Sequence, residues 1–252
     1  MGIPLSAPAR LTAWALLLVL PVQLTACRDS PEDRVEKLFR ARQEGGESLR
    51  QAAADGLVDP AASVRATAAW MLAEEDDGAG ELVGLLSDPA PSVRAAAAGA
   101  LMRFRDASLW PAAAPLLQDH DPRVRLGGVV LIAACSPEAA GELLVGALND
   151  PDPDVRLEAA GGLRAAPSVE ALPELTACLL GDADWRVRAR AVEALSLRDE
   201  AAEIVSLFGD EAEIVSVLEL ASADSNPLVR AAAGEGLEAY HRAHPPIIAP
   251  IP

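Results

Sequence analysis

Hydrophobic and polar positions repeat along the chain in a unit that contains one Val-Arg pair. The pair occurs six times, at intervals of 29, 31, 31, 32 and 42 residues. A small residue follows each valine by four positions, and a large apolar residue follows it by eight. These positions share one face of an α-helix, and the small residue lets neighbouring helices approach closely. A second apolar helix comes before each such helix, so every unit is predicted to be a pair, helix A and then helix B.

The turn between the two helices carries a second set of repeated residues. An aspartate stands five residues before each valine, and four units have Asp or Asn three residues before it. The Asp or Asn side chain three residues before the valine can cap helix B, whereas Ala61 and Ala90 at the same position cannot. Proline follows the cap position in four units, where its missing N–H costs nothing. The repeated aspartates and arginines are Asp59 and Arg65, Asp88 and Arg94, Asp119 and Arg125, Asp150 and Arg156, Asp182 and Arg188, and Asp224 and Arg230.

These units resemble the short HEAT repeats of many bacterial proteins, over about residues 34 to 243. The resemblance implies an all-α fold, an α-solenoid of helical hairpins with the A helices on its convex side and the B helices on its concave side. It also implies that the repeated aspartates and arginines form a ladder of contacts between adjacent repeats. A structural role suits this repetition, because a catalytic group is needed only once.

Two stretches depart from the repeat. The interval of 42 residues contains an insertion at about 198–213, which is either a tolerated surface loop or a binding edge. A short extra helix is predicted there, at about 201–208. The segment from Asp33 to Asp55 has helical periodicity but no Val-Arg pair, and we interpret it as a cap on the first repeat.

Residues 1–26 have the features of an export signal peptide. Arg10 precedes an apolar run from Leu11 to Leu20, which as a helix would span about 15 Å, half of a ~30 Å hydrocarbon core. The sequence Leu24-Thr25-Ala26-Cys27 resembles the bacterial lipobox, in which cleavage exposes a cysteine that carries lipid. The resemblance implies that Cys27 is lipidated and that residues 27–33 form a tether. An ordinary signal peptide with a chance cysteine is the alternative.

The residue after the cysteine bears on the membrane that holds the protein. In such lipoproteins an aspartate there favours retention in the inner membrane, but this chain has Arg28. We therefore expect the outer membrane of a Gram-negative bacterium. Loss of residues 1–26 removes one arginine and no acid, so the mature charge is 20 − 38 = −18. Such a surface is not attracted to anionic lipid, and acyl chains would have to hold it.

Composition narrows the functional classes. The chain has 38 acidic and 21 basic residues and a formal charge of −17, which argues against binding to nucleic acid. It contains three histidines and no phosphate-binding or nucleophile motif. We therefore predict no enzymatic activity, no cofactor and no metal site. The strongest metal candidate, Glu238 with His241 and His244, is interpreted as the solvated end of a helix.

The concave face is the predicted binding surface. Residues two, six and nine positions after each valine are expected to point outward from the B helices; they are apolar in the first three units and more polar in the last three. An exposed apolar surface with one tryptophan favours a protein or peptide partner. Packing of Trp70 on small neighbours is the alternative. The candidate partner-binding residues are Trp70, Ala95, Gly99, Met102, Leu126 and Val130.

These observations favour a non-enzymatic, envelope-anchored scaffold that binds a protein through its concave face. A structural or assembly factor of an envelope complex is the second hypothesis; it would dock by the insertion or by the proline-rich tail, residues 244–252. An enzyme accessory similar to the HEAT-like lyases is the third. The identity of the partner and the oligomeric state stay open.

Overall fold

A computed structural model describes residues 29–75, 77–135, 137–165, 169–196 and 211–243. The predicted signal peptide, Cys27, most of the insertion and the tail lie outside these ranges. The described residues form thirteen α-helices and three short 3₁₀ turns, with no strand among them. The prediction of an all-α solenoid of helix pairs is therefore confirmed.

The helices fall into one leading helix and six pairs. The leading helix is α1 (Pro31–Glu44). The A helices are α2 (Gly46–Leu57), α4 (Ala79–Leu85), α6 (Trp110–Ala113), α8 (Pro137–Ala147), α10 (Leu172–Gly181) and α12 (Glu211–Ala221). The B helices are α3 (Ala62–Leu72), α5 (Pro91–Leu101), α7 (Pro122–Cys135), α9 (Pro153–Ala165), α11 (Trp185–Leu195) and α13 (Pro227–Ala243).

The two layers of helices are spaced differently. Each B helix packs directly on the next one, from α3 through to α13, whereas consecutive A helices make few contacts with each other. The closer spacing of the B helices places them on the inner side of the curved stack. This is the side on which the candidate partner-binding residues lie.

The core follows the repeat pattern. The valine of every Val-Arg pair is buried, and so is the small residue four positions later. Gly128 shows why that residue is small, because a Cβ atom there would lie 2.9 Å from Cβ of Leu116. Close packing tolerates such overlap poorly, so small residues set the distance between the two helices of a pair.

The predicted caps of the B helices are present. The side chain of Asp121 accepts a hydrogen bond from the N–H of Arg123 at 2.9 Å, and that of Asp184 accepts one from Arg186 at 2.8 Å. Asp152 and Asn226 make the equivalent contacts. Ala90, at the same position before α5, leaves this helix without a side-chain cap.

α1 belongs to the series of B helices, although it lacks the Val-Arg pair that marks the others in the sequence. Ser30 caps α1, Pro31 is its first residue, and Arg34 stands where the other B helices carry the arginine of the pair. Asp33 replaces the buried valine and is exposed, as is Lys37 at the position of the small residue. α1 is thus a B helix whose side facing away from the other repeats, its outer side, is polar. A polar outer side suits the end of a repeat array.

The third unit departs from the predicted helix pair. In place of one A helix it has a 3₁₀ turn (Ala107–Leu109), the single-turn α6, and a second 3₁₀ turn (Ala114–Gln118). Pro115 lies in the middle of this segment, and a proline inside a helix lacks the N–H of the helical hydrogen bond and clashes with the preceding turn. The apolar pattern alone was therefore a poor guide to the regularity of this segment.

Candidate functional site

One edge of the solenoid carries a row of arginine–aspartate contacts. Arg65 donates from Nε to Oδ2 of Asp88 at 2.7 Å and from Nη2 to Oδ1 at 2.8 Å, so the pair is bidentate. Its Nη1 donates to the main-chain oxygen of Asp59 at 2.7 Å. Each arginine thereby joins the turn of its own repeat to the turn of the next. The joined pairs are Arg34–Asp59, Arg65–Asp88, Arg94–Asp119, Arg125–Asp150, Arg156–Asp182 and Arg188–Asp224.

The aspartate of each pair also shapes its own turn. Oδ1 of Asp88 accepts a hydrogen bond from the N–H of Ala90 at 2.8 Å, and the other five aspartates accept from the residue two positions on. In the central pair the side chains of Arg125 and Asp150 are 13% and 8% exposed. Buried charges of this kind are tolerated because each has a partner with good geometry.

The contacts change the acidity of the carboxylates. The hydrogen bonds from Arg65 hold the pKa of Asp88 below its ordinary value. For Asp150, burial is the largest single influence and would raise the pKa, but the hydrogen bonds from Arg125 and from the N–H of Asp152, with the charges of Arg125 and Arg156, together outweigh it and the pKa is lowered. The folded protein therefore favours the ionised form of these groups.

The row ends differently at its two ends. Arg34 of α1 makes the first bidentate contact, with Asp59, although Arg34 was not predicted to take part. Arg230 of α13 donates only from Nη1, to the main-chain oxygens of Asp224 and Ser225. No carboxylate of the described residues faces its Nε and Nη2. Arg230 thus sits in the same local geometry as the others but joins no further repeat.

The six candidate partner-binding residues lie together on the B-helix face, and we call them the inner strip. Trp70 of α3 is 52% exposed, the largest exposed side chain on this face of the described helices. The other five are half-buried, on α5, at Met102 directly after it, and on α7, and none of the six carries a charge. They are Ala95, Gly99, Met102, Leu126 and Val130.

Gly99 supports the tryptophan. A Cβ atom at Gly99 would lie 2.7 Å from Cη2 and 2.9 Å from Cζ2 of Trp70, so the indole rests directly on the glycine backbone of α5. The ring is therefore held across two repeats with one side toward solvent. This combines the two interpretations of Trp70, because the side chain packs on a small neighbour and is still half exposed.

The B-helix face becomes charged in the later repeats. At the equivalent positions α9 and α11 carry Arg164 and Glu193, with 3.4 Å between Nη1 and Oε2. Glu193 also accepts from Arg190 at 2.9 Å. Glu193 is thus paired with two arginines within the protein, so the carboxylate in this part of the face is already compensated.

One side chain lies differently from expectation: Ala73, nine positions after Val64 and expected to point outward on the B-helix face, is buried. Two other apolar side chains are exposed: Trp185 at the start of α11 is 39% exposed, and Leu180 is 50% exposed whereas its neighbour Leu179 is buried. Trp110 is half-buried.

The described residues contain little that suggests catalysis. They include no group of three or more His, Cys, Asp or Glu side chains that could hold a metal ion. Cys135 and Cys178 are free and buried. Burial raises the pKa of Cys178 to about 11, which disfavours a reactive thiolate. Within the same ranges no helix is long and apolar enough to cross a membrane.

A cavity of about 360 Å³ opens between the third and fourth repeats, beside the irregular third A segment. Leu117, Leu143 and Gly146 supply its apolar wall. Its charged lining is Arg125 with Asp119 and Asp150, which already bond within the arginine–aspartate row. The cavity therefore has few polar groups that are free to bind a ligand.

Comparison with known proteins gives a family and a fold. A family model described as HEAT repeats matches residues 46–127, 111–196 and 142–238. An engineered protein of known structure is 21% identical, with 86% of this chain and 66% of that chain covered and a TM-score of 0.55. A designed armadillo repeat protein is 19% identical, with 74% of this chain and 98% of that chain covered and a TM-score of 0.50.

These likenesses show the fold alone, because the sequence identities are low. The complex of CpcE and CpcF of phycocyanin lyase from Nostoc is 18% identical, with 84% of this chain and 95% of that chain covered and a TM-score of 0.48. A likeness that weak supports no statement about activity. No curated protein matches the sequence.

Proposed function

Because the chain belongs to the HEAT-repeat family, we propose that it is a non-enzymatic scaffold that binds a protein partner on its inner strip. The observation that carries this proposal is Trp70, half exposed on the B-helix face and supported by Gly99. A rigid, partly exposed indole beside uncharged small and aliphatic side chains has the composition of a binding hot spot.

The strip suits a partner segment with apolar side chains spaced to contact consecutive repeats. Its six residues have no charge, while the chain as a whole carries −17. The net negative charge of the chain would therefore attract a basic partner and increase the association rate more than the affinity. Binding would depend on the apolar contacts of the strip, with the net charge affecting how fast the complex forms.

The cell envelope is the proposed site of action. The support is the sequence of residues 1–27, an export signal followed by the lipobox-like Leu24-Thr25-Ala26-Cys27. Lipid on Cys27 would hold the solenoid beside the outer membrane. Incorporation of labelled fatty acid into the wild type and its loss in Cys27→Ser would support this part. Equal labelling of both proteins, or none in either, would contradict it.

The binding proposal is tested by site-specific photo-crosslinking in cells. A photoreactive residue replaces Met102 in the inner strip or, as a control away from the strip, Val58, which is 83% exposed at the end of α2. We expect a discrete crosslinked partner from position 102 and none from position 58. The partner is then identified by mass spectrometry.

A pair of tryptophan variants shows whether the strip itself does the binding. Trp70→Asp should abolish the crosslink from position 102 with unchanged helicity by circular dichroism. Trp185→Asp, at an exposed tryptophan away from the strip, should leave the crosslink intact. Crosslinking that survives Trp70→Asp would contradict the proposal, and a loss of helicity in that variant would show that Trp70 is mainly a packing residue.

A further inference from the structure

Two positions that are buried in every other B helix, those of Gly234 and Leu237, are only half-buried in the last one. They belong to a stripe, here called the end stripe, that consists of Arg230, Gly234, Leu237 and His241, which recur on one side of α13 at intervals of three to four residues. In the earlier helices the next repeat covers this side. No later repeat follows α13 within the described residues.

Burial at equivalent positions shows how unusual α13 is. The residues that correspond to Gly234 are all buried: Leu38, Ala69, Ala98, Val129, Ala160 and Val192. The residues that correspond to Leu237 are buried as well: Ala41, Leu72, Leu101, Ile132, Leu163 and Leu195. Gly234 and Leu237 are only half-buried, and a Cβ atom at Gly234 would meet nothing within 4 Å. Gly234 and Leu237 thus lack the cover that the corresponding residues have in every other B helix.

The two ends of the solenoid differ in this respect. The outer side of α1 is polar, with exposed Asp33 and Lys37 and an ion pair between Arg40 and Glu36 at 2.6 Å. Among the described residues this side of α1 offers no apolar surface that would stack on the end stripe of a second copy, since the exposed Phe39 of α1 occupies the register of Trp70 on the B-helix face. Two end stripes packed with their helices parallel would bring Arg230 against Arg230, which like charges oppose. Neither of these two arrangements suits the end stripe.

We propose that the chain's own residues 244–252 cover the end stripe by folding back along α13. The inference is independent of the proposed function. α13 spans 17 residues, about 25 Å at ~1.5 Å per residue. The nine residues of the segment span about 28 Å in a polyproline conformation at ~3.1 Å per residue. They begin directly after Ala243, the last residue of α13, so a reversed segment reaches Arg230.

The chemistry of the segment complements the stripe. Its three isoleucines, Ile247, Ile248 and Ile251, can cover Gly234 and Leu237, which expose apolar surface. Its four prolines have no N–H, and the carbonyl groups of a polyproline segment make no internal hydrogen bonds. Nε and Nη2 of Arg230 are donors that face no carboxylate of the described residues, and such carbonyls would accept from them.

Disulfide trapping tests this arrangement. In a full-length Cys27→Ser background, Ile248→Cys is combined with Gly234→Cys on the end stripe or with Glu235→Cys. Residue 235 is at nearly the same height on α13 but about 100° further round the helix. A segment that only samples space near the helix would form both disulfides at similar rates. A docked segment should form the Gly234→Cys disulfide at least about tenfold faster, because its effective concentration there is higher.

A second set of variants and the size of the product complete the test. Replacing Ile247 and Ile251 by serine should bring the two rates close to equal, because the apolar contacts that hold the segment are lost. Equal rates in the starting proteins would overturn the proposal. A crosslink that joins two chains instead of one would also overturn it and would assign the end stripe to a second copy.

Discussion

Along the edge of the solenoid the same two side chains recur in each repeat, whereas along the B-helix face the side chains change from one repeat to the next. The edge has six bidentate arginine–aspartate pairs of nearly identical geometry. The face begins with Trp70 and the uncharged inner strip and ends with charges such as Arg164 and Glu193. Both surfaces belong to the same helices, so the difference does not come from the fold.

The comparison separates two kinds of residue in a repeat protein. A residue that each repeat needs for contact with the next one recurs, because every interface between repeats has the same geometry. A residue that contacts a partner occurs where the partner touches and nowhere else. The edge should therefore govern stability and the inner strip should govern binding, and changes to one should leave the other intact.

Acid should affect the edge more than any single substitution, because it reaches all six aspartates. Their pKa values are lowered in the folded state by the arginines, against about 3.9 for an unfolded aspartate. The unfolded state then binds more protons, so this contribution is complete above about pH 4 and is lost as the pH falls toward the lowered values. Urea midpoints followed by circular dichroism should be constant from about pH 7 to 5 and fall below about pH 4. A midpoint that stays constant down to about pH 2 would contradict this account.

Removal of one central arginine should be the largest single-residue effect. Arg125→Met leaves Asp150 buried without its partner, and such a change costs about 3–5 kcal/mol. Arg123→Met is the matched control on the same helix, because Arg123 is 69% exposed and pairs only with Asp121 of its own turn. Its loss should be within about 1 kcal/mol. Urea denaturation measures the stability of both variants. Equal losses of stability would show that the contact between repeats contributes no more than the exposed ion pair.

A double variant tests whether the cost comes from the stranded carboxylate. Arg125→Met combined with Asp150→Leu removes both charges and should recover part of the stability lost in Arg125→Met alone. The recovery is incomplete because Asp150 also accepts from the N–H of Asp152, a contact that leucine cannot make. If the double variant were less stable than the single one, the hydrogen bond within the turn would outweigh the bond between repeats.

The parts of this architecture that were predictable from sequence are those that repeat or act locally. The Val-Arg period marked the B helices. The caps at Asp121 and Asp184 were predictable because each side chain accepts a hydrogen bond from an N–H only two residues away. Arg34 was missed because Asp33 stands where the valine would have marked a seventh B helix, although Ser30 and Pro31 keep the cap and the proline.

Contacts between different helices were harder to predict from the sequence. The seat of Trp70 on Gly99 depends on which residues of α3 and α5 lie opposite each other, and a periodic pattern does not contain that information. The break in the third A segment had a local signal in Pro115, but the apolar pattern around it resembles that of an intact helix. The repeat period therefore predicts neither which residues of neighbouring helices lie opposite each other nor where a helix is interrupted.

The smallest expected effect concerns a cap beside the edge. Ala90 has φ −87° and ψ 123°, close to φ −89° and ψ 116° at Asp184, so an aspartate at position 90 could cap α5 as Asp184 caps α11. Asp119 and Asp121 already stand two residues apart in the third unit, which shows that the turn accepts a second carboxylate beside the first. Ala90→Asp should stabilise the protein by about 1 kcal/mol, and Asp184→Ala should destabilise it by a similar amount. Since neither change touches the inner strip, the crosslink from position 102 should be unaffected in both variants; a weaker crosslink in Ala90→Asp would mean that stability and binding are coupled through α5.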